Sequence, residues 1–216
     1  MGLIDRVHDR HVHGRRVRVL CEHLAALVPA GASVLDVGCG DGLLARLLLD
    51  RRPDLDVRGI DVLVRPGTHV PVAPFDGRTI PEADGGVDVV LFVDVLHHTD
   101  DPTVLLREAA RVARRAVVLK DHTRDGLLAG PTLRFMDDVG NARHGVALPH
   151  NYWPRRRWHE AFAALGLSVV AWRDDLGLYP RPADWVFGRS LHFVARLEPS
   201  ARAAALADAP QELARP

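Results

Sequence analysis

One stretch constrains this chain more than any other: Val34-Leu35-Asp36-Val37-Gly38-Cys39-Gly40-Asp41-Gly42. Residues 34–37 read as a short buried strand. They run straight into a loop with three glycines, and residues 43–50 beyond it read as a helix. Glycine permits the tight turn and lets a ligand lie against bare backbone. The following helix N-terminus offers unpaired N–H groups. The spacing is Gly-x-Gly-x-Gly, which differs from the Gly-x-Gly-x-x-Gly of the dinucleotide fingerprint. Asp36 and Asp41 beside the loop disfavour a bound phosphate and suit a ligand with a cationic amine.

The rest of the chain repeats the strand-then-helix rhythm. A helix is predicted over residues 3–28, with Val17, Leu20, Leu24 and Leu27 at helical spacing and a stop at Pro29-Ala30-Gly31. Its Arg- and His-rich portion, residues 6–18, is read as a solvated face, with a lid over a ligand as the alternative. Further strands are predicted at 56–60, around 68–72, at 88–93 and at 116–119. A helix at 102–112 has proline in its first turn. Strands that are apolar throughout and separated by helices imply a parallel sheet covered on both faces. Residues 121–154 lack clean periodicity and are read as a cover over the site. A helix at 155–165, strands at 167–172 and 185–195, and a frayed tail from Glu198 complete the reading. One domain over residues 1–197 is expected.

Composition narrows the function. Formal net charge is zero with 26% charged residues, so nothing global draws the chain to nucleic acid or anionic lipid. No apolar run approaches the ~20 residues of a membrane span. Cys21 and Cys39 are the only cysteines, too few for a disulfide framework, and a reducing cytoplasm is expected. The basic residues are almost all arginine. Lys120 is the single lysine, which is read as chance.

About twenty residues after the glycine loop, Gly59-Ile60-Asp61 ends the second strand. A carboxylate there can accept hydrogen bonds from both hydroxyls of a ribose. With this the chain resembles the class I S-adenosylmethionine-dependent methyltransferases. Residues 34–42 look like that family's first motif, and Asp61 matches its ribose acid. Phe75-Asp76-Gly77 followed by Ile80-Pro81 is similar to its adenine segment. Asp88-Val89-Val90-Leu91-Phe92-Val93-Asp94-Val95-Leu96-His97-His98 resembles its fourth-strand motif, above all in small-molecule enzymes of the ubiquinone/menaquinone type. The resemblance covers about residues 30–120. It implies a Rossmann-like α/β fold, a seven-stranded, mostly parallel sheet with helices on both faces, whose last strand runs antiparallel. It also implies S-adenosyl-L-methionine as cofactor and S-adenosyl-L-homocysteine as product. By carry-over, Asp36, Gly38, Cys39 and Gly40 cradle the methionine part, Asp61 and Val62 the ribose, and Asp76 and Gly77 the adenine. Asp94, Val95 and His98 pass beneath the cofactor.

A general base is expected at a strand end, where an open parallel sheet presents its ligand crevice. His122 is the first candidate, with Asp121 as its orienter. His98 is a second, although His97 and His98 can equally be packing residues. An acceptor pocket is expected from Arg134, Asn141, Arg143, His144, His150, Asn151 and Tyr152, with arginine clamping an anion. Asp121, His122, His144 and His150 offer metal-ligand chemistry, but their spacing is not diagnostic, and no metal site is expected. The cluster Arg155-Arg156-Arg157 is read as a solvated helix start. Transfer of a methyl group to a small molecule is the leading function. A non-methylating elimination or cyclisation on the same fold is the alternative. The sequence names no protein partner or oligomeric state.

Overall fold

A computed structural model of the chain describes residues 14–141, 149–188 and 190–200. Helix α1 (Gly14–Leu27) buries Leu20, Cys21, Leu24 and Leu27, one stripe at helical spacing. There follow β1 (Ser33–Val37), α2 (Leu43–Arg51), β2 (Asp56–Asp61), β3 (Val72–Pro74), β4 (Val87–Val93), α3 (Pro102–Val112), β5 (Ala113–His122), α4 (Ala129–Asn141), α5 (Arg155–Ala164), β6 (Leu167–Arg173), α6 (Asp184–Phe187) and β7 (His192–Pro199). A single 3-10 turn, Leu96–His98, joins β4 to α3. Helix α3 starts as its residues dictate: the Asp101 carboxylate accepts from the Thr103 N–H at 2.9 Å, and Pro102 occupies the first turn.

The seven strands form one sheet in the order β3-β2-β1-β4-β5-β7-β6. Neighbours from β3 to β5 are parallel, and β7 runs antiparallel to both β5 and β6. Alternate side chains enter two separate cores, as the period of two requires. Val34, Val57, Val89, Leu91, Ala116 and Val118 pack with α1 and α2 through Leu24, Ala45 and Leu48. Leu35, Val37, Val90, Phe92, Val117 and Leu119 pack with α3 and α5 through Leu106, Val112, Trp158 and Phe162. Burying each large side chain contributes about 1.5–3 kcal/mol. The strand order reverses at β1, which lies between β2 and β4. In such a sheet the ligand crevice lies outside the carboxyl ends at this reversal. The glycine loop and residues 94–98 both leave the sheet there.

Five expectations need correction. The third strand is Val72–Pro74, later than residues 68–72, because pairing to β2 begins at Val72 opposite Gly59. The last strand begins at His192, not at 185. Trp185 and Val186 read as strand because they are apolar, yet both are exposed on the short α6. Strand β5 runs on to His122, since Asp121 and His122 pair with Phe193 and His192 of β7. Finally, the cover segment is not irregular: α4 occupies Ala129–Asn141. Glu198 and Pro199 belong to β7 rather than to a tail. The parts of the expected first helix before residue 14, and the tail beyond residue 200, lie outside the described residues.

Candidate active site

Backbone builds one half of the crevice. Gly38 has φ 75°, and a Cβ there would stand 2.6 Å from Val95 Cγ2. Gly40 has φ 62°. Both positions therefore need glycine, the first for conformation and for close packing on the end of β4. Gly38 N–H donates to the Ile60 carbonyl at 2.8 Å, which ties the loop to β2. One oxygen of Asp61 accepts from Gly40 N–H at 2.8 Å, and the other from Leu63 N–H at 2.8 Å. A carboxylate has about four acceptor positions, so Asp61 keeps capacity for hydroxyl donors. Exposed Val62 abuts Gly77, bringing the ends of β2 and β3 together. Asp76 is exposed and accepts from Arg78 N–H at 2.8 Å and Thr79 N–H at 2.6 Å, which hold its carboxyl below the usual range. Asp36 is buried, and burial, followed by the charge of Asp61, pushes its carboxyl up to about 7. A buried acid lifted in this way fits a cationic amine as partner. Cys39 is pushed up to about 12, first by burial and then by Asp36, so its thiol is inert.

Side chains build the other half. Asp94 follows β4 with φ 57°, an uncommon conformation for a non-glycine residue and one that clusters at functional sites. Its carboxylate pairs with Lys120 Nζ and, through the other oxygen, with Arg16 Nη2 at 2.9 Å. Burial raises the Asp94 carboxyl, but Lys120 and then Arg16 outweigh this and hold it well below the usual range. Lys120 is fully buried, and its ammonium pKa is lowered by that burial against the pull of Asp94. His122 Nε2 lies 3.5 Å from Lys120 Nζ, and His122 Nδ1 lies 3.7 Å from Asp94. Burial, then Lys120, drives the His122 pKa well below its ordinary value, so the ring is neutral.

Behind this layer, Asp121 is wholly buried and held below the usual carboxylate range: burial opposes the shift, and His97 overcomes it. Its oxygens accept from Leu96 N–H at 3.1 Å and His122 N–H at 2.8 Å, and one stands 2.7 Å from His97 Nδ1. The expected orienting role is therefore redirected. Asp121 is 3.6 Å from the His122 ring, and its short contact is to His97. His97 is raised in turn; burial lowers it and Asp121 more than compensates. Its Nε2 points toward Asp137 at 3.5 Å, and Tyr152 Oη donates to Asp137.

The other expected site residues divide clearly. His150 reaches Tyr152 Oη at 3.2 Å and Asp138 at 3.5 Å. Asn151 is a fastener: its amide donates to the carbonyls of Thr99 and Asp100 and accepts from Trp153 Nε1. Its backbone N–H donates to the His97 carbonyl at 3.2 Å. Arg134 lies on the exposed face of α4. Asn141 ends α4, while Arg143 and His144 lie outside the described residues. Three members of the cluster escaped the sequence reading. Arg16 belongs to the stretch read as a solvated face, Lys120 was ascribed to chance, and Asp137 went unnoticed. For Asp137 a signal existed, since it sits four residues after buried Leu133 on the inward stripe of α4.

A glycine loop at the strand-order reversal, a carboxylate ending β2, and a buried cluster of charged and imidazole side chains beyond it are the features of a class I methyltransferase fold. A family model described as "Methyltransferase domain" matches residues 8–171, and the chain belongs to that family. An uncharacterised methyltransferase from Mycobacterium sp. (strain JLS) is 37% identical over 177 residues, 73% of this chain and 69% of its own length. Another, from Mycobacterium bovis, is 42% identical over 91 residues, 38% of this chain and 46% of its own, so the match spans about half of that relative. Geranyl diphosphate C-methyltransferase from Streptomyces coelicolor was solved with Mg2+, geranyl diphosphate and S-adenosyl-L-homocysteine. It superposes with a TM-score of 0.64 at 16% identity, over 84% of this chain and 79% of that one, which shows the shared fold. No helix among the described residues is long and apolar enough to cross a membrane.

Proposed function

We propose that this chain methylates a small-molecule acceptor held at the carboxyl ends of β4 and β5, with His122 taking the acceptor's proton. One observation carries the reading. Val95 packs on Gly38 of the glycine loop, and its neighbour Asp94 anchors the buried Lys120–His122 layer. Cofactor seat and acid–base cluster are therefore one residue apart along the chain.

S-adenosylmethionine supplies a methyl group already activated by its sulfonium, so the protein's part is orientation and a dry pocket. Asp36 and the backbone of residues 38–40 hold the amino-acid end, Asp61 and Val62 the ribose, and Asp76 and Gly77 the adenine. His122 is unprotonated and in the right layer to act as base. The imidazolium it would become faces the carboxylates of Asp121 and Asp94 at 3.6 and 3.7 Å, which offset the Lys120 ammonium 3.5 Å from its Nε2. Arg16 covers Asp94 from α1. Helix α4, with His150 and Tyr152, supplies the acceptor's remaining contacts. Zero net charge supports a small acceptor over nucleic acid, whose backbone is gripped by basic residues. Both cysteines are free, which supports a reducing cytoplasmic setting.

The test is S-adenosylhomocysteine release, followed by mass spectrometry with candidate acceptors. His122→Gln is expected to cut turnover by about a hundredfold or more, within the range for a general base, while cofactor affinity holds. Full activity in that variant would remove His122 from the reaction. Conversion of an acceptor without S-adenosylhomocysteine would favour elimination or cyclisation instead.

A further inference from the structure

The buried cluster contains more nitrogen and oxygen donors than methyl transfer uses. Two overlapping triads bring their donor atoms within 4.8 Å of one another: Asp94, His97 and His122, and His97, His98 and Asp137. The first is committed elsewhere. Lys120 and Arg16 already neutralise Asp94, the Lys120 ammonium stands 3.5 Å from His122, and His97 Nδ1 faces Asp121 at 2.7 Å. A cation placed there would meet another cation.

The second triad is different. His97 Nε2 and His98 Nδ1 are both shut off from solvent, and neither has a hydrogen-bond partner. A buried polar atom without a hydrogen bond is destabilising, and here two occur on adjacent residues. Their rings are 4.1 Å apart, centre to centre. His97 Nε2 lies 3.5 Å from Asp137 Oδ2. Ligands about 2.0–2.1 Å from a tetrahedral zinc stand about 3.3 Å from each other, so this separation is near what one ion requires.

We propose that His97 Nε2, His98 Nδ1 and the Asp137 carboxylate form a binding site for one divalent transition-metal ion of the zinc type. Two imidazoles and one carboxylate are donors suited to zinc or a similar ion, and softer than the oxygen set magnesium takes. The supporting shell is also built. The Asp121 carboxylate faces His97 Nδ1, the carboxylate–histidine–metal arrangement that fixes the ring and leaves Nε2 as the ligand. Tyr152 donates to Asp137 and orients the carboxylate. Asn151 N–H donates to the His97 carbonyl, which clamps the turn carrying both histidines. Three protein ligands leave a coordination position for water or an acceptor oxygen. The site stands independently of the identity of the methyl acceptor.

The experiment uses the full chain stripped with a chelator, then titrated with Zn2+ by calorimetry and with Co2+ by visible absorption. One equivalent is expected, with tetrahedral-type Co2+ bands and a Zn2+-dependent rise in Tm. His98 is only partly buried, so His98→Ala is expected to keep its fold by circular dichroism while losing at least tenfold in metal affinity. Asp121→Asn, which leaves all three ligands in place, is expected to lose 10–100-fold. No binding by the wild type would overturn the site. So would equal affinity in wild type and His98→Ala, because the metal would then sit on surface imidazoles and His97 would only bridge Asp121 and Asp137. Titration of S-adenosylhomocysteine with the chelator present reads the cofactor seat separately, so the two readings fail independently.

Discussion

The ends of β1 and β2 and the ends of β4 and β5 build two halves of one crevice by opposite means. The first half is backbone: glycines at positive φ, N–H groups turned onto Asp61, and exposed residues at the rim. The second is side chains: a lysine, two carboxylates and two histidines, nearly all sealed from water and matched in charge. The fold of the backbone half tolerates change at most positions other than the glycines. A buried charge cluster tolerates loss of none of its members, because each removal strands an opposite charge. The first half thus behaves as a local device, and the second as a part of the core that also does chemistry.

Unfolding measurements can break this contrast. Lys120→Met leaves the Asp94 carboxylate facing only Arg16, and it should cost about 3 kcal/mol in a urea titration. A cost under about 1 kcal/mol would mean that the cluster is solvated. Gly38→Ala should be milder in stability, about 1–2 kcal/mol for an alanine forced to positive φ. It should weaken cofactor affinity more than it weakens the fold, since the added Cβ displaces Val95. Equal effects on both would blur the distinction.

The smallest expected effect is on pH. The carboxyl of Asp36 sits at about 7 when folded, above the ~3.9 of an unfolded chain. Its stabilising contribution to the empty protein is complete below the unfolded value and is lost as pH rises through about 7. Affinity for a cofactor carrying an ammonium group should move the other way, rising several-fold from pH 6 to pH 8 as Asp36 ionises. Asp36→Asn should flatten both trends, and calorimetry across that pH range checks them.

The same contrast explains what the sequence disclosed. The glycine loop, Asp61 and the strand running into Asp94 lie in short contiguous motifs, so the alternating strands and helices were legible from the pattern, and the sheet's full topology from the family resemblance those motifs carry. Lys120 was visible but mute, because a lone lysine has no pattern. Only its place on β5, opposite Val93 and paired with the Asp94 carboxylate, gives it meaning. Arg16 and Asp137 come from α1 and α4, far along the chain from the strands they serve. Nothing local marks Arg16, and for Asp137 the only local signal is its place on the inward stripe of α4, because their partners are brought by topology. Helix α4 was missed because Gly130 and Pro131 begin it and mimic a loop.

The central claim is that residues 38–42 and Asp61 seat S-adenosylmethionine beside the buried cluster, and calorimetric titration of purified protein with that nucleoside and with S-adenosylhomocysteine tests it most directly. Saturable binding of one equivalent is expected, weakened at least tenfold, or about 1.4 kcal/mol, by Asp61→Ala. Absence of heat with both ligands, or unchanged affinity in the variant, would contradict it.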